Sequence, residues 1–325
     1  MTERENFFEI IRFGNPERIP HTIPDYGIHY RGCNNEGFDG RGDDLPPGSE
    51  WMDVWSIRWR NEQKDIMGYP IKHPLDHPDK LSNYAWPDHN DPRVSALIHA
   101  MAADYPGGNR LLSCSHRSVL WERAHKLVGM ENLMIYLYTE PEFVRRVLHR
   151  IMDFQIGIAN LYLSHGVELA FLGDDLGTQS SLLLSPKIID EFLLPEYRRI
   201  FDLYKQNGVL INFHSCGHIE PLLHMLMELG ADIINPVQAT ANNLRNMREV
   251  TQGRMTLCGG ISSHLLMEGS IDEIIRTTKQ TMYMLGAEGG YICTSDQHMP
   301  FEKEKIDAFI HTVEEYGRFP LSPEY

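Results

Sequence analysis

From about residue 108 onward, short apolar runs of β character alternate with longer segments of helical period, and this alternation constrains the fold most. It implies parallel strands joined by crossover helices. The strand candidates are NRLLSCS, VELAFLGDD, VLINFHSC, ADIINPV, RMTLCGG and GYICTSD. After Pro141, the residues Phe143, Val147, Ile151, Phe154, Ile158 and Leu161 recur at helical spacing and form one apolar stripe. Punctuation agrees with this order. Ser185 followed by Pro186 is a helix start, Pro195 is expected to kink or split that helix, and Gly208 closes it. Pro221 opens the next helix and Gly230 ends it, while Gly286 closes IDEIIRTTKQTMYML.

Residues 1 to about 105 read differently, being rich in Pro, Gly, Asp, Asn and Trp with little period. They predict a loop-rich cap with a hairpin around WMDVWSIRWR. No Gly-rich phosphate turn follows the first strand, so a (β/α)8 TIM barrel is expected rather than an open dinucleotide-binding sheet. The expected organisation is a single (β/α)8 barrel domain over residues 1–325, with 1–105 as its loop-rich N-terminal part.

Charge and composition exclude several classes. With 45 acidic against 30 basic residues the formal charge is -15, which argues against a non-specific grip on nucleic acid or anionic membrane. No apolar run approaches the ~18 to 20 residues of a membrane span. The N-terminus MTERENFFEIIRF lacks a basic start and a sustained apolar core, so no secretory signal is read and a cytoplasmic location is expected. Five scattered cysteines with no CxxC pair are the wrong pattern for a disulfide framework or a four-thiolate zinc module. Whether the chain forms a homo-oligomer is left open.

If the fold is a barrel, chemistry belongs at the carboxyl ends of the strands. There NFHSCGHIEP places His214 and Cys216 two apart at a strand end, so both side chains point to the same side. Imidazole and thiolate are ligands that zinc favours. For a bare HxC pair, packing is the more ordinary outcome, with a small buried cysteine and a satisfied histidine. A redox role is weaker, since no resolving cysteine is nearby. Further ligands must come from other strands, and Cys258, Cys293, Asp296 and His298 could each complete the site, Cys293 and His298 being the ones expected. Asn235, Gln238, Cys258 and Asp296 also fall at or just beyond strand ends and are the candidates for substrate binding.

In GDDLG, Asp174 and Asp175 are candidate catalytic acids, although adjacent strand residues face opposite ways and one of them is expected to cap a turn. Trp51, Trp55, Trp59 and Trp86 are of a type that stacks on aromatic rings but more often packs in cores. Met225, Met227, Met282 and Met284 read as core filling.

Taken together, HSCGHIEPLLHMLMELGADIINPVQ, GDDLGTQSSLLLSPKIIDEFLLPEYRRIFD, GGYICTSDQHMP and the earlier YPIKHPLDHPDKLSNYAWPDHNDP resemble the uroporphyrinogen decarboxylase superfamily over roughly residues 65 to 315. The resemblance implies a (β/α)8 barrel with a pocket at the strand carboxyl ends. True decarboxylases of that superfamily carry an arginine-bearing motif of the type MRQAGRY. Here the corresponding IPHTIPDYGIHYRGC offers one arginine, Arg31.

The other branch comprises cobamide-dependent methyltransferases that bind zinc through an HxC pair, which His214 and Cys216 match. Its coenzyme M-specific members have a further cysteine in a Pro-Gly-Cys-Gly turn where this chain has TSDQHMP. The closer likeness is to members that demethylate ethers and amines. It implies zinc as cofactor, a methoxylated aromatic or methylated amine as the small substrate, and a separate corrinoid protein as partner. SDQHMP is no corrinoid-binding DxHxxG motif, since Phe301 stands where glycine is required. The alternatives from other classes are a metal-free, uroporphyrinogen decarboxylase-like decarboxylase or lyase, and a non-catalytic barrel that binds a small molecule.

Overall fold

The computed structural model describes residues 1–63, 66–297 and 299–323. Its first strand, β1 (Asp25–Ile28), is followed by three short strands, β2 (Glu50–Met52), β3 (Arg58–Arg60) and β4 (Tyr69–Lys72). Six more strands then alternate with helices: β5 (Leu111–His116), β6 (Leu169–Gly173), β7 (Leu210–His214), β8 (Ile233–Val237), β9 (Thr256–Ile261) and β10 (Tyr291–Ser295). Four of these six fall within the runs read from the sequence, and β5 and β9 each extend one residue past theirs.

The sheet order is β1-β5-β6-β7-β8-β9-β10, every pair parallel and each strand beside its successor. The predicted hairpin is the antiparallel pair β2–β3, with Trp51 opposite Trp59 and β4 alongside. Register slips once within the main sheet, between Ile234 and Val237 on β8. Pro236 lies in that interval and has no N–H to give the ladder.

Local chemistry sets the helix limits. Helix Pro141–Ser164 buries Phe143, Val147, Ile151, Phe154 and Ile158 along one face. The Ser185 hydroxyl accepts from the Ile188 amide to start its helix, and a π turn over Ile189–Leu193 precedes helix Leu194–Gln206 with Pro195 in its first turn. That is the interruption Pro195 predicts. Gly230, at φ 95°, ends helix Leu223–Leu229 in the left-handed conformation that glycine adopts without strain.

Side chains alternate between two environments. Leu111, Leu169, Ile233, Cys258 and Ile292, from five strands, form one apolar cluster with Phe7 and Ile10 of the N-terminal helix Glu3–Ile11. Inner faces meet in this way only if the sheet curls round, with that helix packed at one end. Their neighbours Leu112, Ala170, Ile211, Ile234, Leu257 and Cys293 belong to the outer core under the helices. Trp51, Trp55 and Trp59 are buried in the cap and thus pack rather than line a pocket, with Trp51 stacked on Trp59. Among the described residues, no helix is long and apolar enough to cross a membrane.

Candidate functional site

The carboxyl ends of β6 and β7 are joined above the sheet by two glycines. A Cβ on Gly177 would lie 2.5 Å from the Cys216 carbonyl oxygen, and one on Gly217 would lie 2.5 Å from the Gly177 carbonyl carbon. Only glycine at both places lets the GDDLG and HSCG backbones touch. This approach carries the Asp175 carboxylate to the amide of Cys216, which donates to it at 2.9 Å.

His214 is the last residue of β7 and Cys216 lies two beyond it on the same side. His214 Nε2 is 3.6 Å from Cys216 Sγ and 3.6 Å from Asp175 Oδ1. Ligand atoms of Asp175, His214 and Cys216 all lie within 4.8 Å of one another. All three residues stay partly exposed, so the cluster opens to solvent at the strand ends. One oxygen, one nitrogen and one sulfur donor around an open face is a set that zinc accepts, with room for a further ligand. Burial pushes the Cys216 thiol up to about 12, the Asp175 charge adds to this, and the Gln297 hydrogen bond opposes it. The site thus presents a neutral thiol at neutral pH until a cation displaces the proton.

The imidazole is oriented from behind. Asn235 Oδ1 lies 2.9 Å from His214 Nδ1, and Asn235 Nδ2 donates to Cys258 Sγ at 3.3 Å. With its proton on Nδ1, the ring turns the Nε2 lone pair to the other two donors. The Phe171 ring on β6 lies 5.4 Å from the His214 ring. Gln238 accepts from the Gly217 amide and so steadies the turn after Cys216.

Several sequence expectations change here. Asp174 is fully buried on the other side of β6, where its oxygens accept from the amides of Trp121 and Glu122 (2.6 Å each) and the Tyr197 hydroxyl (2.5 Å). It anchors a helix start and does not face the site. Cys293 points outward into the core beneath the helices, away from the three donors, because β10 turns odd-numbered residues out. Asp296 is also turned away and caps a helix by accepting from the Ser263 amide at 2.8 Å. Cys258 faces inward below Asn235 and meets the Thr294 hydroxyl at 3.7 Å. His298 lies outside the described residues. The residue missed in SDQHMP is Gln297, whose Nε2 donates to Cys216 Sγ at 3.3 Å.

Two clefts lie elsewhere on the described surface. One of about 670 Å³ beside Arg245 and Tyr283 and one of about 630 Å³ beside Trp86 and Arg150 sit on the outer surface of the helices, away from the strand ends.

Residues 73–316 of the 325 match the family model described as uroporphyrinogen decarboxylase (URO-D). The chain belongs to the uroporphyrinogen decarboxylase family. The chain is 24% identical over 197 residues to a methylated-thiol–coenzyme M methyltransferase of Methanosarcina mazei. That match covers 59% of this chain and 50% of the relative, so the chain spans about half the length of the curated relative it matches. Among solved structures, a methyltransferase from Methanosarcina mazei superposes with a TM-score of 0.73 at 15% identity. It covers 97% of this chain and 99% of that one, a likeness of fold. The family assignment and the curated relative agree with the methyltransferase branch that the sequence resembles.

Proposed function

We propose that this chain is a zinc-dependent methyltransferase that moves a methyl group between a small methylated substrate, a methoxylated aromatic or a methylated amine, and a corrinoid held by a separate protein. The observation that carries the reading is the convergence of Asp175, His214 and Cys216 at the strand ends, with Asn235 orienting the imidazole. Asp175, rather than Cys293, is the third donor.

Zinc held by these residues supplies Lewis acidity toward the heteroatom that loses the methyl group. When the methyl departs, the electron pair of the broken bond stays on that oxygen or nitrogen, and a proton must reach it in water. Asn235 fixes the His214 tautomer, and Gln297 donates to the Cys216 sulfur so that the donor set keeps its shape without substrate. A barrel closed around the strand ends would limit water at the reacting atoms and leave the mouth as the approach for the partner.

On the same reading the seven parallel strands belong to a closed (β/α)8 barrel spanning residues 1–325. The Cys293 amide supports this closure by donating to the Pro20 carbonyl at 2.9 Å, tying β10 to the segment before β1. A cytoplasmic setting goes with five unpaired cysteines and a chemistry that needs a reduced thiol.

The test is metal content after anaerobic purification, wild type against Cys216→Ser, followed by methyl transfer from 4-methoxyphenol or dimethylamine to cob(I)alamin. Near-stoichiometric zinc that falls in the variant, together with zinc-dependent turnover, is the expected result. A wild-type chain that takes up no zinc when zinc is supplied would overturn the mechanism.

A further inference from the structure

The inner face of the sheet changes character between floor and mouth. Above the apolar floor, the inward positions of the next layer include Ser113 on β5, Asn212 on β7 and Thr294 on β10, and Asp25, in register with the floor residue Leu111, reaches up to Ser113. Barrel interiors are ordinarily filled at such positions by bulky branched side chains. Here they are polar. Asp25, Asn235 and Thr294 are also partly exposed although they lie within strands, whereas outward-facing Ile28, Leu172 and Ile211 are fully buried. Solvent therefore reaches part of this interior.

Two observations in the layer point to a ligand. Asn212 is 4% exposed and its Oδ1 has no hydrogen-bond partner. It sits two residues below His214 on the same strand face, about 7 Å down the strand. A buried acceptor without a partner is normally satisfied by something that binds there. The second is Asp25, the one charged side chain among these inward residues, which accepts the Ser113 hydroxyl and keeps acceptor capacity to spare. The one charge among these inward residues is negative, and it lies beside an acceptor that has no partner.

Building on the methyltransferase reading, we propose that Asp25, Ser113 and Asn212 form the subsite for the non-reacting end of the methylated substrate, which must be a hydrogen-bond donor, a hydroxyl or an ammonium. A carboxylate there would meet the Asp25 charge and leave Asn212 Oδ1 unmatched. The step from Asn212 to His214 is long enough for one aromatic ring, and Phe171 faces that space with its ring partly exposed.

The experiment is calorimetric titration of the zinc-supplemented chain with three probes: 4-methoxyphenol, 4-methoxybenzylammonium chloride and 4-methoxybenzoate. The expected result is that at least one donor-bearing probe binds about tenfold or more tightly than the benzoate. Asp25→Asn is expected to abolish the ammonium preference and to raise affinity for the benzoate, with zinc content unchanged. Asn212→Leu is expected to weaken the phenol about tenfold, again with zinc retained. Equal or tighter binding of 4-methoxybenzoate by the wild type would overturn the proposal, as would saturable binding by none of the probes. If donor probes are preferred but no methyl transfer occurs, the subsite stands and the methyltransferase reading fails.

Discussion

The Asn235 carboxamide oxygen lies 2.9 Å from His214 Nδ1, so the imidazole is aimed before any ligand arrives. The two residues are paired across neighbouring strands, His214 on β7 opposite Asn235 on β8. The hydrogen bond fixes the tautomer as well as the ring plane. Asn235→Ala is therefore expected to weaken zinc binding about 10- to 100-fold. Competition with a chromophoric chelator measures it. Affinity equal to wild type would mean that His214 is not a ligand or needs no orientation.

Asp174 and Asp175 are adjacent in sequence and separated in function by the pleat of β6. Asp174→Ala strips an acceptor from the Trp121 and Glu122 amides and the Tyr197 hydroxyl, all buried around it. The expected loss is about 2 to 4 kcal/mol of stability, with zinc retained wherever the variant folds. Asp175→Ala is expected to do the reverse, lowering zinc content with little change in the denaturant midpoint. Denaturation and metal analysis of both variants decide between these roles, and a loss of metal from the Asp174 variant alone would reverse the assignment.

These two residues also show how far the sequence could be read. Strand alternation places one aspartate inward and the other outward, but which is which depends on where β6 leaves the sheet. The six later strands were legible because each is an apolar run bounded by helix stops. β1 was not placed, because DYGI offers an acid and a glycine where β-branched residues are expected. The N-terminal helix had a readable signal in Thr2 and Glu5, which form a capping box. Past β10 the chain leaves the strand, so spacing no longer predicts direction: Asp296 turns to a helix start and Gln297 reaches Cys216. A site assembled by loops from three strand ends is legible only at its most local pair, His214 and Cys216.

The end of the sheet opposite the site depends on two side chains. Phe7 and Ile10 are fully buried against residues from β5, β6, β8, β9 and β10. Phe7→Ala removes a ring from a cluster that no helix on the outer face can reach. The expected cost is about 3 to 5 kcal/mol, read as a lower denaturant midpoint. A cost below about 1 kcal/mol would mean that the helix is not an integral part of the core.

Acid should destabilise the fold through His116. Burial holds its imidazole down at about 4, between the Gln155 carboxamide oxygen at 2.7 Å and the Tyr204 hydroxyl at 2.6 Å. Because the folded value lies below the unfolded value of about 6.5, the unfolded chain binds more protons in that interval. Stability from the neutral ring is complete above pH 6.5 and is lost as pH falls through 4, by up to about 3 kcal/mol. His125, half-buried and likewise held at about 4 by desolvation, adds in the same direction. His116→Gln should flatten part of the dependence in denaturation curves between pH 6.5 and 4, and an unchanged slope would exclude His116 as its source.

Zinc uptake should depend on pH in the same sense, but over a higher interval. The Cys216 thiol, pushed up to about 12 by burial and the Asp175 charge, is protonated throughout the neutral range. Binding a cation through its sulfur must release that proton, so each unit of alkalinity removes about a tenfold handicap. Between pH 7 and 9, where an ordinary imidazole is already neutral, the zinc dissociation constant should fall about tenfold per unit. Cys216→Ser should lose this slope along with most of the affinity. Chelator competition at pH 7, 8 and 9 gives both numbers. A wild-type affinity that does not vary over this range would show that the sulfur is not a ligand, and the remaining pair, His214 and Asp175, would then be too few donors to hold a catalytic zinc.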